Sequence, residues 1–171
     1  MKQNPKWILL CLTLGFALLD QASKWAAKLC LSPIHSLPVI PNVFHLSLAY
    51  NTGAAFSMFH NQPQLLTGFT SLLFLALLAY GLSKRQFYKG ELLAMALILG
   101  GALGNLLDRI FLGHVTDFLD LIAIRYPIFN VADSFIFCGV ILLAYTHLKG
   151  QPEAQTPEPP LASAHESRQN P

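Results

Sequence analysis

Four of the nine acidic residues fall between Gly100 and Phe135, in GGALGNLLDRIFLGHVTDFLDLIAIRYPIFNVADSF. This stretch holds Asn105, Asp108, Arg109, Asp117, Asp120, Asn130 and Asp133, and it starts and ends in apolar runs. Ionised side chains are costly in hydrocarbon, so acids gathered beside two apolar runs need a function or a partner. Two carboxylates held close together cannot both ionise cheaply and tend to share one proton. Such a pair can hydrolyse an amide without a metal or an activated serine. The ionised acid takes a proton from attacking water, and the protonated acid polarises the carbonyl and later protonates the leaving nitrogen. Asp117 and Asp133 are the candidates. Asp133 also has a competing account, as a helix-end acid behind an Asn130 cap, but that account leaves Asp117 unexplained. Asp120 is a weaker third candidate, on a helix face or in a loop. Ser47, Ser57 and Ser134 have no evident histidine base.

The elements that must position these residues are membrane spans. The chain has 171 residues, 53% hydrophobic and 12% charged, where soluble domains carry about 25% charged. Apolar runs at about 7–29, 65–82, 91–112 and 130–148 are each long enough to cross a hydrocarbon core. The first continues through Asp20 without a small-residue cleavage site, so it reads as a retained helix. Residues 31–63 contain Pro33, Pro38, Pro41 and Pro63, which break helix. Within them, Phe44, Leu46, Leu48 and Tyr50 alternate as one face of a strand. Asn51, Thr52 and Gly53 supply a turn, and residues 54–59 form a short aromatic segment suited to the interface. Residues 151–171 have a disordered composition. One domain over 1–150 with a tail at 151–171 is expected. Lys2, Lys6, Lys84, Arg85, Lys89 and Lys149 fall on one side of four spans, whereas loops 31–63 and 113–129 contain only Arg125. That asymmetry puts both termini in the cytoplasm and the acids at the outer face.

The remaining polar groups are supports. Asp20 and Lys24 lie four apart on one helix face. They are either a pair at the outer helix end, with Lys24 and Lys28 snorkelling to the interface, or substrate contacts. Gly101, Asn105 and Asp108 share a face, with Asp108 paired to Arg109 or to Lys24. Gly100 and Gly104 allow close helix approach. Cys11, Cys30 and Cys138 have no framework spacing and read as small buried hydrophobes. The histidines include no HExxH motif, which argues against zinc, although His114 lies three residues before Asp117. A net charge of +2 is too small to suggest nucleic-acid binding.

DQASK (20–24), NTGAAFS (51–57), GGALGNLLDRI (100–110), VTDFLD (115–120) and FNVADSFI (129–136) occur in order along this topology. The ordered set resembles the bacterial lipoprotein signal peptidases, or signal peptidase II. The resemblance implies a mainly α membrane protein of four transmembrane helices, with a small periplasmic β-cradle and a short interfacial helix. It implies an inner-membrane aspartic endopeptidase that cleaves diacylglyceryl-modified prolipoproteins before the lipidated cysteine. By motif position, the catalytic aspartates become Asp117 and Asp133. The supporting residues become Asp20, Lys24, Asn51, Gly53, Asn105, Asp108, Arg109 and Asn130. Membrane lipid and globomycin-type inhibitors become expected partners, with no cofactor or metal, no nucleic acid, and a monomeric state. The loop from Asn51 to Met58 is expected to close over substrate. Two other classes compete on the residues alone. A small transporter would line a polar path with Asp20, Lys24, Asp108 and Arg109, but the charges gather at one helix end and no internal repeat is visible. An assembly factor using the glycines would leave the aspartates idle.

Overall fold

The computed structural model describes residues 4–53, 63–88 and 90–150. The aromatic segment at 54–59, Lys89 and the tail at 151–171 lie outside the described residues. Four helices, α1 (Pro5–Leu31), α2 (Pro63–Ser83), α3 (Glu91–Leu112) and α4 (Val131–Gly150), are each long and apolar enough to cross a membrane. Three strands, β1 (Ser36–Ile40), β2 (Phe44–Asn51) and β3 (Val115–Asp120), form one antiparallel sheet in the order β1-β2-β3. The fold class is the expected one.

The helix ends follow local chemistry. Asn4 caps α1, its side chain accepting from the Lys6 N–H at 3.1 Å, and Pro5 follows in the first turn. Gly113 ends α3 in the left-handed conformation at φ 75°, and its N–H donates to the Arg109 carbonyl. The turn there redirects the chain into β3.

Helix α3 is the most enclosed of the four and lies between α1 and α4. Its glycines make this possible. Any Cβ at Gly100 would overlap Phe16 of α1, and one at Gly101 would overlap the Ala132 carbonyl of α4. A Cβ at Gly139 of α4 would likewise come within 2.8 Å of the Ala94 carbonyl of α3. Leu9, Met95, Ala96 and Leu99 make an apolar core in one half of the bundle. Ala27, Leu31 and Phe118, with Leu46 and Leu48, join the sheet to the other end of α1.

Two expectations are corrected. Asp120 lies on a strand rather than on a helix face or in a loop, and Asp117 lies on the same strand: Ala49 pairs with Asp117 and His45 with Asp120. Pro38, expected to break helix, lies in strand β1. It is tolerated because β1 is an edge strand, where a missing N–H breaks no central ladder. The three cysteines are exposed on the helix flanks instead of buried, since lipid is as apolar as a protein core and accepts them equally well.

Candidate active site

Asp117 enters the site from the middle of β3. Asp133 enters from the first turn of α4. Between them, Asn130 is fully buried. Its Nδ2 donates to Asp117 Oδ1 at 2.6 Å and to Asn105 Oδ1 at 3.0 Å. Its Oδ1 accepts from the Asp133 N–H at 3.0 Å, while Asp133 Oδ2 accepts from the Asn130 N–H at 3.1 Å. This reciprocal pair is a capping box at the head of α4. The capping account of Asp133 is therefore correct, and it is also what aims the carboxylate. The Phe129 carbonyl accepts from the Phe118 and Leu119 N–H groups, so the segment entering α4 is laced to β3.

Each carboxylate is held from both sides. Asp117 Oδ2 accepts from Asn51 Nδ2 at 3.1 Å, and Asn51 Oδ1 accepts from the Gly53 N–H. Asp133 Oδ1 accepts from Asn105 Nδ2 at 2.8 Å. Burial, and next the charge of Asp133, push the Asp117 carboxyl up to about 6. The hydrogen bonds from Asn51 and Asn130 and the charge of Lys24 only partly oppose this.

Behind the two acids lies a second layer. Lys24 is 2% exposed and does not snorkel. Its Nζ lies 2.8 Å from Asp20 Oδ2, 2.9 Å from Asn105 Oδ1 and 3.3 Å from Asp108 Oδ2. These three inward acceptors give the buried ammonium the partners that a charge removed from water requires. Asp108 thus pairs with Lys24 and not with Arg109. Asp108 also accepts the Thr116 N–H, fixing the start of β3, and Asp20 accepts the Ala132 N–H, fixing the start of α4. The Asp20 carboxylate occupies the space where Gly104 lacks a Cβ.

Asn51, Gly53, Asn105, Arg109, Asp117 and Asp133 line one cleft of about 410 Å³. Asp20, Lys24, Asp108 and Asn130 brace it from behind. The Arg109 guanidinium makes no hydrogen bond or salt bridge to a described residue, and Asp133, Asp117 and Asp108 are the charges acting on it. Asp120 is half-buried and outside the cleft. The His114 ring packs edge-on against Tyr50 at 4.7 Å. Among the described residues, no three His, Cys, Asp or Glu side chains gather as a metal site.

Two sets of residues escaped the sequence reading. Gln21 Nε2 donates to Asp108 Oδ1 and to the Gly104 carbonyl, both at 3.0 Å, and reaches Asp20 Oδ2 at 3.3 Å. Its position beside Asp20 was the available signal. The apolar wall comprises Tyr126, Phe129, Ile136, Phe137 and Val140. Ile136, Phe137 and Val140 follow Asp133 at three, four and seven positions, which is a legible helix face.

Residues 12–149 match the family model described as Signal peptidase (SPase) II. A Moorella thermoacetica protein named Lipoprotein signal peptidase is 43% identical over 139 residues, 80% of this chain and 89% of the relative. A Gloeobacter violaceus protein of the same name is 37% identical over 167 residues, 98% of this chain and 94% of the relative. A solved structure described as a bacterial membrane enzyme by the in meso method at 2.3 Å resolution has a TM-score of 0.74 and 29% identity, covering 88% of this chain and 93% of that one.

Proposed function

This chain belongs to the signal peptidase II family, a family of membrane peptidases, and from that premise we propose that Asp117 and Asp133 are its catalytic pair. It removes signal peptides from prolipoproteins. The substrates are diacylglyceryl-modified, and the bond cut is on the amino side of the modified cysteine. The observation that carries the aspartic assignment is the Asn130 bridge: one buried residue holds the Asp117 carboxylate through its side-chain nitrogen and the Asp133 carboxylate through its backbone N–H, at a single cleft.

One acid, ionised, takes a proton from water as it attacks the scissile carbonyl. Its neighbour, protonated, polarises that carbonyl and then supplies a proton to the leaving nitrogen. The proton that separates these roles stays on the pair because burial and the like charge both resist full ionisation. Arg109 supplies positive charge to the same cleft, where negative charge develops on the carbonyl oxygen. The wall of Ile136, Phe137 and Val140 accommodates apolar parts of the substrate. The enzyme acts as a monomer in the inner membrane, without a cofactor or metal, and globomycin-type inhibitors occupy the same cleft.

The test uses Asp117→Asn and Asp133→Asn, each purified in detergent and given lipidated prolipoprotein. Each variant is expected to lose at least about a hundredfold in cleavage rate while still binding substrate. Full cleavage by either variant would overturn the pair. EDTA is expected to leave the wild-type rate unchanged; loss with EDTA and recovery with zinc would return attention to His114.

A further inference from the structure

A second cavity, of about 200 Å³, lies on the other side of α3 from the cleft, between the outer ends of α1 and α3. Lys24, Asp108 and Gln21 are its polar lining. Trp25 and Phe111, 67% and 76% exposed, flank its mouth. Lys28, in the last turn of α1, also lines it, and its ammonium has no hydrogen bond or salt bridge to a described residue. We infer that this cavity binds the phosphodiester headgroup of an anionic membrane phospholipid, with Lys28 as the recognising cation.

Three observations select that occupant. The aromatic pair and the lysine stand at one level, at the ends of spanning helices, where headgroups lie. Among the described residues, the cavity offers one free cation and no free acid. Both oxygens of Asp20 and both of Asp108 are already engaged by Lys24, Gln21 and the Ala132 and Thr116 N–H groups. A zwitterionic headgroup would leave its own cation unpaired there, whereas an anionic one is neutralised by Lys28. Finally, the cavity suits a headgroup rather than chains, and the exposed Leu18 on α1 continues the Trp25 side toward the membrane centre for an acyl chain. The diacylglyceryl group of a prolipoprotein carries no phosphate, so this site is separate from substrate recognition. A bound headgroup would touch Lys24 and Asp108, the layer that fixes Asn105 and the start of β3.

Trp25 reports on the site directly. The chain has two tryptophans, and Trp7→Phe leaves Trp25 alone. The full-length variant is placed in phosphatidylcholine nanodiscs containing a fixed fraction of brominated phosphatidylglycerol or, in parallel, brominated phosphatidylcholine. Quenching is expected to give phosphatidylglycerol a relative association constant about fivefold higher, the worth of one lysine at an anionic lipid surface. Lys28→Gln should bring the ratio to near one, and Lys28→Arg should keep it. Equal quenching by the two lipids, or an undiminished ratio in Lys28→Gln, would overturn the site. Sodium phosphate at matched ionic strength is expected to leave the ratio intact; abolition by phosphate would overturn the lipid assignment in favour of a free anion.

Discussion

At the scale of single residues, the site depends on asparagines as much as on aspartates. Asn130 caps α4 through its oxygen and bridges Asp117 and Asn105 through its nitrogen. Asn130→Ala removes a cap worth roughly 1 kcal/mol and leaves buried partners unpaired at roughly 1–3 kcal/mol. Thermal unfolding in detergent should show that loss, with cleavage down at least about tenfold as the two carboxylates drift apart. Unchanged cleavage would mean the bridge does not set their geometry. The pH behaviour follows from Asp117. Its carboxyl is raised from 3.8 to about 6 in the fold, so protonation favours the folded state. That contribution is complete below the unfolded value and is lost as pH rises through about 6. Asp133→Asn deletes the like charge and should make Asp117 ionise at lower pH. Asn51→Ala deletes a hydrogen bond to the carboxylate and should make it ionise at higher pH. Infrared difference spectra with isotope-labelled aspartate read both; shifts in the same direction would refute the stated causes. Every residue singled out for the site was legible from motif order. Gln21 was signalled only by its place beside Asp20, because its three contacts come from α3 and from its own neighbour, and DQASK does not show that α3 packs there.

At the scale of elements, two small structures do the positioning: the sheet places Asp117, and the close packing of α3 against α4 places Asp133. The long apolar runs were legible because hydrocarbon thickness demands them. Strand β2 was legible from its alternation. Strands β1 and β3 were not. VTDFLD is six residues long with an acid at its third position, and only pairing with β2 makes it a strand. Such non-local pairing has no local signature. The role of the glycines in helix packing was legible, but not which helix each one meets. Gly101→Ala tests that packing. Its Cβ would overlap the Ala132 carbonyl, one residue before Asp133, and a displaced carboxylate of about 1 Å can cost about a hundredfold in rate. Overpacking should also destabilise by roughly 1–3 kcal/mol. Gly68→Ala in α2 meets nothing within 4 Å and is the control; it should leave cleavage unchanged and stabilise by up to about 1 kcal/mol. Equal effects of the two substitutions would show that α3–α4 contact does not limit activity.

At the scale of the whole molecule, charge is segregated along the bundle axis. One end carries the Asp117–Asp133 site and its bracing layer. The other carries Glu91, buried and ion-paired with Lys84, whose ammonium also lies over the Tyr80, Phe87 and Tyr88 rings. Leu9, Met95, Ala96 and Leu99 form an apolar cluster between them. A continuous polar path, as a transporter would need, has no support in that arrangement. At the site end Lys24 is enclosed by Asp20 and Asp108 and Arg109 is under the influence of Asp133 and Asp117, while Lys28 has no acidic partner among the described residues. At the opposite end, Lys6, Arg85 and Lys149 have no acidic partner among the described residues. The excess of positive charge there predicts that this end faces the cytoplasm and that the cleft faces outward. Labelling can decide this. Cys11, Cys30 and Cys138 are exposed and must first be replaced by alanine. In intact spheroplasts, a membrane-impermeant maleimide should then label Ser36→Cys, on the exposed edge strand beside the site, and should label Arg85→Cys only after lysis. The opposite pattern would invert the protein and place its peptidase cleft in the cytoplasm.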